Sequence, residues 1–214
     1  MARYAMSRRM RNIAAVIFVL AATGLVTLDR TAVRKVWRWQ PQTKSEQNAG
    51  DFETYNGKQF AVVKVVDGDT IDIDIPDGNY SHTRIRLWGV DTPETKDPRL
   101  PEPMYFGPEA SEFSTKLVFG KQVTIFLDKD RNSRDKYYRL LAYVQLPDKT
   151  FLNEVLLSEG YAYADLRFKH SFYNKYKQLE SAARSQKKGL WANVTEEQLP
   201  EWLQRERPEL IKTK

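Results

Sequence analysis

The sequence predicts an α+β fold in which a five-stranded β-barrel is packed with three helices, behind a separate hydrophobic segment at the N-terminus. Residues 57–192 carry this prediction, because strand-like alternation of apolar and polar residues dominates their first part and helical spacing dominates their last part. The composition agrees, since a chain of 214 residues with 41% hydrophobic content can bury a core and is not that of a disordered protein.

The chain begins with a basic segment, followed by the uncharged apolar run IAAVIFVLAATGLVTL at residues 13–28. A charged start followed by an apolar stretch is typical of an export signal. The run is slightly short for a spanning helix, which needs at least about 17 residues, and slightly long for the apolar part of a cleaved signal. We therefore expect an exported protein. Residues 1–28 are either an uncleaved single-pass membrane anchor, which we favour, or a cleaved signal that releases a secreted protein.

Residues 29–56 are polar and show no period, so we predict a linker between the apolar segment and the folded domain. The formal net charge of +6 is no argument for nucleic-acid binding by that domain. Residues 1–40 hold eight Lys or Arg and a single acid, Asp29, which leaves the rest of the chain close to neutral.

The chain contains no cysteine, which excludes a disulfide framework, a thiolate zinc site and a cysteine nucleophile. It contains only two histidines, His82 and His170, to which we assign no catalytic role. A metal in this protein is therefore expected to be a hard cation held by carboxylate oxygens.

The predicted strands are residues 59–66, 70–75, 83–90, 121–127 and 138–146, and the predicted helices are residues 108–120, 152–160 and 171–189. In the second strand, isoleucines alternate with Asp72 and Asp74, which we take to be solvated. Pro108 at the start and Gly120 at the end delimit the first helix. Five strands with helices inserted and appended fit a barrel of the OB type, and residues 193–214 are left as a charged tail.

Two acidic strings could carry chemistry, and the first is VVDGDTIDI at residues 65–73. Gly68 lets the backbone turn tightly between Asp67 and Asp69. Two carboxylates so close repel each other unless a cation or hydrogen-bond donors lie beside them. Taken alone, the string is also explained as an ordinary Asp-Gly turn.

In the second string, RIRLWGVDTPET, Asp91 ends a strand, Pro93 prevents the strand from continuing, and Glu94 follows. Arg86 lies on that strand, so the carboxylates and the arginine form a mixed-charge site where a metal and a phosphate could both bind. The acids could instead form a helix-capping pair, or the group an ordinary surface ion pair. Arg139, which begins the fifth strand after a charged loop, is by itself explained as an arginine whose charged end reaches solvent.

The chain from about Gln59 to Trp191 resembles the staphylococcal nuclease family. The resemblance rests on six motifs in order: DGDT at 67–70, RLWGVDTPET at 86–95, FGPEAS at 106–111, DKYYRLLAYV at 135–144, LNEVLLSEGYA at 152–162 and KKGLW at 187–191. It implies an OB barrel with three helices and a Ca²⁺-dependent endonuclease that hydrolyses DNA and RNA and leaves 3′-phosphate ends. We expect the enzyme to be a monomer.

By this resemblance, Asp69 and Asp91 are carboxylate ligands of Ca²⁺, and Thr92 supplies a backbone carbonyl. Glu94 resembles the acid beside the attacking water, either as its general base or as the group that positions it. Ca²⁺ takes oxygen ligands and lowers the charge barrier to attack on an anionic phosphodiester. A carboxylate beside the water can align it and accept its proton.

Arg86 and Arg139 resemble the two arginines that hold the scissile phosphate. The planar guanidinium suits this role, because it donates two hydrogen bonds to phosphoryl oxygens and stabilises the charge that grows in the transition state. Lys136 and Tyr137 match residues that contact a nucleotide phosphate. Asp67 corresponds to an acid that lies beside the metal ligands without binding the metal itself.

The sequence departs from the family at three positions. Leu166 and Phe168 stand where the family has two tyrosines, so the resemblance does not extend to base stacking, and Tyr138 replaces a glycine before the second arginine. Two other functions stay open: a catalytically silent, membrane-tethered OB module that binds nucleic acid or protein, and a structural adaptor attached to the membrane. The presence of every metal-ligand and arginine position favours the nuclease.

Overall fold

The computed structural model of the chain describes residues 43–96, 101–207 and 210. Its strands are β1 (Lys58–Asp67), β2 (Thr70–Ile73), β3 (Thr83–Leu87), β4 (Val90–Asp91), β5 (Gln122–Phe126), β6 (Leu140–Gln145) and β7 (Tyr163–Ala164). Its α-helices are α1 (Lys44–Tyr55), α2 (Gly107–Val118), α3 (Leu152–Ser158), α4 (Tyr173–Ser185) and α5 (Glu201–Glu206), with 3₁₀ turns at Gly189–Ala192 and Glu196–Gln198.

The predicted segment at residues 1–28 and the first part of the predicted linker lie outside the described residues. Among the helices of the described ranges, none is long and apolar enough to cross a membrane.

Five strands close into a barrel in the order β1, β2, β3, β6, β5, which confirms the predicted architecture. Neighbouring strands are antiparallel except β3 and β6, which run parallel. Apolar side chains from all five strands are almost fully buried in the core, among them Val62, Ile71, Ile85, Ile125 and Leu140. Each such side chain stabilises the fold by about 1.5–3 kcal/mol relative to exposure. The barrel is thus a rigid support for the loops at its ends.

Asp72 is not solvated, contrary to the sequence-based expectation. The register of β2 and β3 places Asp72 directly opposite Arg84. The Nε of Arg84 donates to one carboxylate oxygen of Asp72 at 2.8 Å and its Nη2 to the other at 3.0 Å. Asp74, by contrast, is exposed as expected, with His82 at 3.6 Å. Of the two acids that were predicted to be solvated, Asp72 therefore forms a cross-strand ion pair and Asp74 is exposed.

The third predicted strand is interrupted at Gly89, which adopts a φ of +74°. An added Cβ at this position would lie 2.3 Å from Nε2 of His170, so both the conformation and the space require glycine. After the turn, β4 leaves the barrel and pairs antiparallel with β7, with Asp91 opposite Tyr163. This change of direction separates Asp91 from the strand that carries Arg86.

Residues 44–55 form helix α1, although the sequence analysis assigned them to a linker. Helical periodicity was not visible because only Phe52 and Tyr55 of α1 pack against the hydrophobic core. Asp51 is buried, and the hydroxyl of Tyr55 lies 3.0 Å from that of Thr83 on β3. The folded part of the chain therefore begins before the predicted boundary at residue 57.

Part of the predicted charged tail is also folded. Leu199 and Leu203 are buried against the 3₁₀ turn that contains Leu190 and Trp191. Thr195 and Gln198 form a reciprocal capping box at the start of this segment. The C-terminal segment 195–207 is thus packed on the domain rather than free in solution.

Candidate functional site

Arg86 joins two carboxylates that come from different loops. Its Nη1 forms an ion pair with Oδ2 of Asp69, in the turn after β1, and its Nη2 forms one with Oδ1 of Asp91, at the end of β4. The register pairs Arg86 with Thr70 on β2, which brings the neighbouring Asp69 alongside. The three charged side chains are at most 15% exposed, so water screens their attraction only weakly.

The two acidic strings are packed directly on each other at Gly68. A Cβ at this glycine would lie 2.7 Å from the hydroxyl oxygen of Thr92, a distance that no side chain tolerates. The backbone N–H of Thr92 donates to Oδ2 of Asp69 at 2.8 Å. The hydroxyl of Thr92 is buried and has no hydrogen-bond partner among the described residues. The glycine between the aspartates is therefore needed for the close contact between the two loops.

Glu94 lies beside Asp67 at the edge of this cluster. Asp67 accepts hydrogen bonds from its neighbour Gly68 at 2.8 Å and from the hydroxyl of Thr95 at 3.1 Å. Burial, a hydrogen bond with Asp67 and the negative charge of Asp69 together raise the pKa of Glu94 to about 8, and burial has the largest effect. Asp67 thus stays outside the Arg86 pairing and contacts Glu94.

Negative charge exceeds positive charge in the cluster. Burial raises the pKa of Asp91 to about 6, an effect that Arg86 opposes and Asp69 reinforces. Burial would lower the pKa of Arg86, but the carboxylates of Asp69 and Asp91 outweigh it and raise the pKa above its ordinary value. The guanidinium of Arg86 is therefore permanently charged. Its single positive charge does not balance the negative charges of Asp69 and Asp91.

The structure does not bring Arg139 to the carboxylates that Arg86 binds. Its Nε donates to Oδ2 of Asp135 at 2.7 Å, and its backbone N–H donates to Oδ1 of the same residue at 3.0 Å. Arg139 immediately precedes β6, whose Leu140 pairs with Ile85 of β3. Arg86 therefore lies on β3 and Arg139 directly before the neighbouring parallel strand β6. Their guanidinium groups nevertheless form ion pairs with different acids.

Lys136 and Tyr137 lie on the surface beside Arg139. The Tyr137 ring is 66% exposed, with Nζ of Lys136 at 4.9 Å and the guanidinium carbon of Arg139 at 5.4 Å from its centroid. Tyr138 adopts a φ of +63° in the same turn and is also exposed. A cationic and aromatic surface is thus formed next to the second arginine.

Helix α1 holds the loop that precedes Arg139 through a contact that was not predicted from the sequence. Arg134 donates to both carboxylate oxygens of Asp51, at 2.9 and 2.8 Å, and also forms an ion pair with Asp77. Its Nη1 donates to the carbonyl of Tyr138 at 3.1 Å. An ion pair between a helix residue and a loop residue 83 positions later in the chain produces no periodic pattern in the sequence.

The C-terminal segment also reaches the cluster. The indole N–H of Trp202 donates to Oδ2 of Asp91 at 2.8 Å. Arg167 stacks on the Trp202 ring at 4.0 Å and binds Asp165 with two hydrogen bonds of 2.8 Å. The spacing of Leu199, Trp202 and Leu203 on one helical face was the available sequence signal for this docking.

The donor set fits a hard divalent cation in its chemistry. The carboxylate oxygens of Asp69 and Asp91 converge on the same guanidinium, and carboxylate oxygens are ligands that such a cation prefers. The buried hydroxyl of Thr92, next to Asp91, has no hydrogen-bond partner among the described residues. Within residues 43–96 and 101–207, however, no group of three or more acids or histidines is arranged to hold a metal ion. The guanidinium of Arg86 forms ion pairs with both aspartates.

Comparisons with known proteins find several nucleases that are similar to this chain. A sequence model of the family described as Staphylococcal nuclease homologue matches residues 84–193. The thermonuclease of Staphylococcus hyicus is 34% identical over 172 residues, which cover 80% of this chain and 97% of that protein. The thermonuclease of Staphylococcus intermedius is 41% identical over 143 residues, or 65% and 77% of the two chains. Endonuclease YncB of Bacillus subtilis is 35% identical over 154 residues, or 70% of each chain.

The matched range contains most of the predicted site but ends before α5 and begins after α1. From this match and these identities, and in agreement with its six motifs, the chain belongs to the staphylococcal nuclease family.

Proposed function

We propose that this nuclease hydrolyses DNA and RNA with the help of a bound Ca²⁺ at the cluster of Asp69, Asp91 and Arg86. That the chain is a phosphodiester-hydrolysing nuclease follows from its family. One observation carries the finer proposal: a single buried guanidinium joins carboxylates from two separate loops, with a third acid, Glu94, beside them. Oxygen ligands, an acid and an arginine are the groups that attack on a phosphodiester requires.

Asp69, Asp91 and the backbone carbonyl of Thr92 would hold the cation. When bound, Ca²⁺ supplies charge neutralisation at the phosphate, which lowers the barrier to attack by water. The carboxylates are already oriented by Arg86 and by the backbone N–H of Thr92, so little rearrangement of the two loops is needed.

Glu94 aligns the attacking water and accepts its proton in this proposal. It is partly buried, next to Asp67 and close enough to Asp69 and Asp91 for their charges to act on it. A carboxyl group whose pKa is about 8 is a stronger base than an ordinary glutamate once it is ionised. Its ionised form would be favoured by a neighbouring positive charge.

Arg86 and Arg139 bind the scissile phosphate. Each guanidinium now contacts carboxylates, so an incoming phosphate exchanges one anionic partner for another at little electrostatic loss. Lys136 and Tyr137 form the exposed surface next to Arg139 and would contact a neighbouring phosphate of the strand.

We also propose that the protein is exported and acts as a monomer, anchored by residues 1–28 or released after their cleavage. The basic start and the apolar run at residues 13–28 support export. The mass of the mature protein, compared with the 25.0 kDa of the full chain, distinguishes the anchored form from the released form.

The test of the proposed chemistry is cleavage of single-stranded DNA and of RNA by the purified full-length protein, with millimolar Ca²⁺ and then with excess chelator. We expect cleavage that the chelator abolishes. Glu94→Gln removes the proton acceptor and should lower kcat by roughly 10²- to 10⁴-fold while the circular dichroism spectrum is unchanged.

Glu112→Gln is the matched control, because Glu112 is an exposed acid of α2 that pairs with Lys116 at 2.6 Å. Activity that persists without any divalent cation, or normal cleavage by Glu94→Gln, contradicts the proposed mechanism. Binding of nucleic acid without cleavage by the wild-type protein would identify a silent binding module instead.

A further inference from the structure

Trp202 and Arg86 bind different oxygens of the same carboxylate. Arg86 contacts Oδ1 of Asp91, whereas the indole N–H of Trp202 donates to Oδ2 at 2.8 Å. Nη2 of Arg167 also lies 3.9 Å from Oδ2, beyond hydrogen-bond distance. Each oxygen thus accepts one hydrogen bond from these residues, and the carboxylate cannot rotate without losing one. Each oxygen has two acceptor positions, so both retain one for a further ligand.

The indole is itself held in place. The guanidinium of Arg167 stacks on its ring with 4.0 Å to the centroid, and Asp165 fixes that guanidinium through two hydrogen bonds of 2.8 Å. Asp165 in turn donates its backbone N–H to the carbonyl of Gly89, in the turn that leads to β4. The orientation of the indole is therefore tied to the strand that carries its acceptor.

Helix α5, which carries Trp202, is anchored on both sides of this residue. Leu199 is 5% exposed and Leu203 is fully buried. Farther along the chain, Arg207 forms a buried ion pair of 2.6 Å with Glu180 of α4. Glu180 also accepts the backbone N–H of Ala164 on β7, the strand that pairs with β4. A helix of six residues would not be stable alone, so these anchors fix its position.

We propose that Trp202 is a positioning residue of the active site. The C-terminal segment 195–207 therefore contributes to nuclease activity, because it holds Trp202 against Asp91. The inference rests on the proposed function, in which Asp91 holds the cation. In that function Arg86 both orients Asp91 and binds the scissile phosphate. Trp202 has no such competing partner, and it keeps the Asp91 carboxylate oriented when Arg86 turns to the substrate.

The test compares Trp202→Phe with wild type in the full-length protein. Phenylalanine retains an aromatic ring for Arg167 and loses only the N–H donor. Arg205→Gln is the matched control, because Arg205 lies on the same helix with an exposed side chain. Three quantities are measured: the unfolding temperature without Ca²⁺, the Ca²⁺ concentration for half-maximal cleavage, and the ¹H–¹⁵N resonance of the Trp202 indole during Ca²⁺ titration, identified by its absence in Trp202→Phe.

We expect Trp202→Phe to need roughly 10- to 100-fold more Ca²⁺ for half-maximal cleavage, as is usual when a group that orients a metal ligand is removed. Its unfolding temperature should stay close to that of wild type, and Arg205→Gln should match wild type throughout. The Trp202 indole resonance should shift as Ca²⁺ is added. A merely structural role predicts the reverse: a lower unfolding temperature and an unchanged Ca²⁺ requirement.

An unchanged Ca²⁺ requirement in Trp202→Phe, or an indole resonance that does not respond to Ca²⁺, overturns the inference. If the wild-type protein does not cleave nucleic acid with Ca²⁺, the proposed function fails instead. The indole resonance then still decides whether Trp202 lies against a cation-binding carboxylate.

Discussion

Replacing Asp51 with Asn tests whether helix α1 holds the loop that carries Arg139. Asp51 accepts two hydrogen bonds from Arg134 and one of 2.6 Å from Ser133, and the side chains of the Asp51–Arg134 pair are only 9% and 10% exposed. Removing one partner of a buried ion pair leaves an uncompensated charge and costs about 3–5 kcal/mol. Arg134 keeps its pair with Asp77, which is 25% exposed, so we expect the lower end, about 3 kcal/mol of unfolding free energy.

The same substitution should also reduce catalysis. Arg134 donates to the carbonyl of Tyr138, the residue before Arg139, so loosening Arg134 loosens the backbone that positions the second arginine. We expect kcat/KM to fall by about 10-fold, because small displacements of a group that binds the reacting phosphate are costly.

The assay is urea unfolding of wild type, Asp51→Asn, Arg134→Gln and the double variant, together with steady-state cleavage of single-stranded DNA. Glu53→Gln, an exposed acid of the same helix, is the control and should change neither quantity. The reasoning is refuted if the double-mutant cycle gives a coupling energy below about 0.5 kcal/mol, the value typical of independent sites. It is also refuted if kcat/KM is unaffected by the loss of Asp51.

Two further substitutions follow from the site and its surroundings. Arg86→Lys should lower kcat by about 10²- to 10³-fold, because an ammonium group cannot bridge two acceptors as a guanidinium does, whereas Arg84→Lys on the same strand should leave kcat unchanged in the same cleavage assay. Burial lowers the pKa of His170 to about 4, against the opposing effect of Asp128. The neutral imidazole should therefore contribute stability that is fully present above about pH 6.5 and is lost as the pH falls towards 4, about 3 kcal/mol in total. His170→Asn should flatten this part of the pH profile in urea unfolding, and an unaltered profile would contradict the assignment.

The barrel could be predicted because its strands display their buried face in the sequence. Isoleucine and leucine alternate with charged residues in β2 and β3, and this spacing identifies the inward side chains without any knowledge of the partner strands. The fate of Asp72 could not be predicted in the same way. Its burial depends on the register that places Arg84 opposite, and register is a relation between strands that one strand does not encode.

The site was predicted in part. Asp69, Asp91 and Arg86 lie together, because Arg86 pairs with Thr70 beside Asp69 and its guanidinium also reaches Asp91 at the end of β4. The motifs identify Arg139 but not the direction of its guanidinium, which Asp135 determines from four residues away. Helix α1 escaped prediction because only Phe52 and Tyr55 dock it through apolar contacts, and the ion pair of Asp51 with Arg134 also holds it on the domain.

The parallel pairing of β3 with β6 has a consequence for synthesis. The acids and Arg86 come from consecutive segments and can meet as soon as those segments have left the ribosome. Arg139 joins only when β6, many residues later, inserts beside β3, and such non-local pairing is slow. Trp202 is synthesised later still, because α5 follows β6 along the chain. The acidic cluster can therefore form in a nascent chain before the second arginine and Trp202 are added to it.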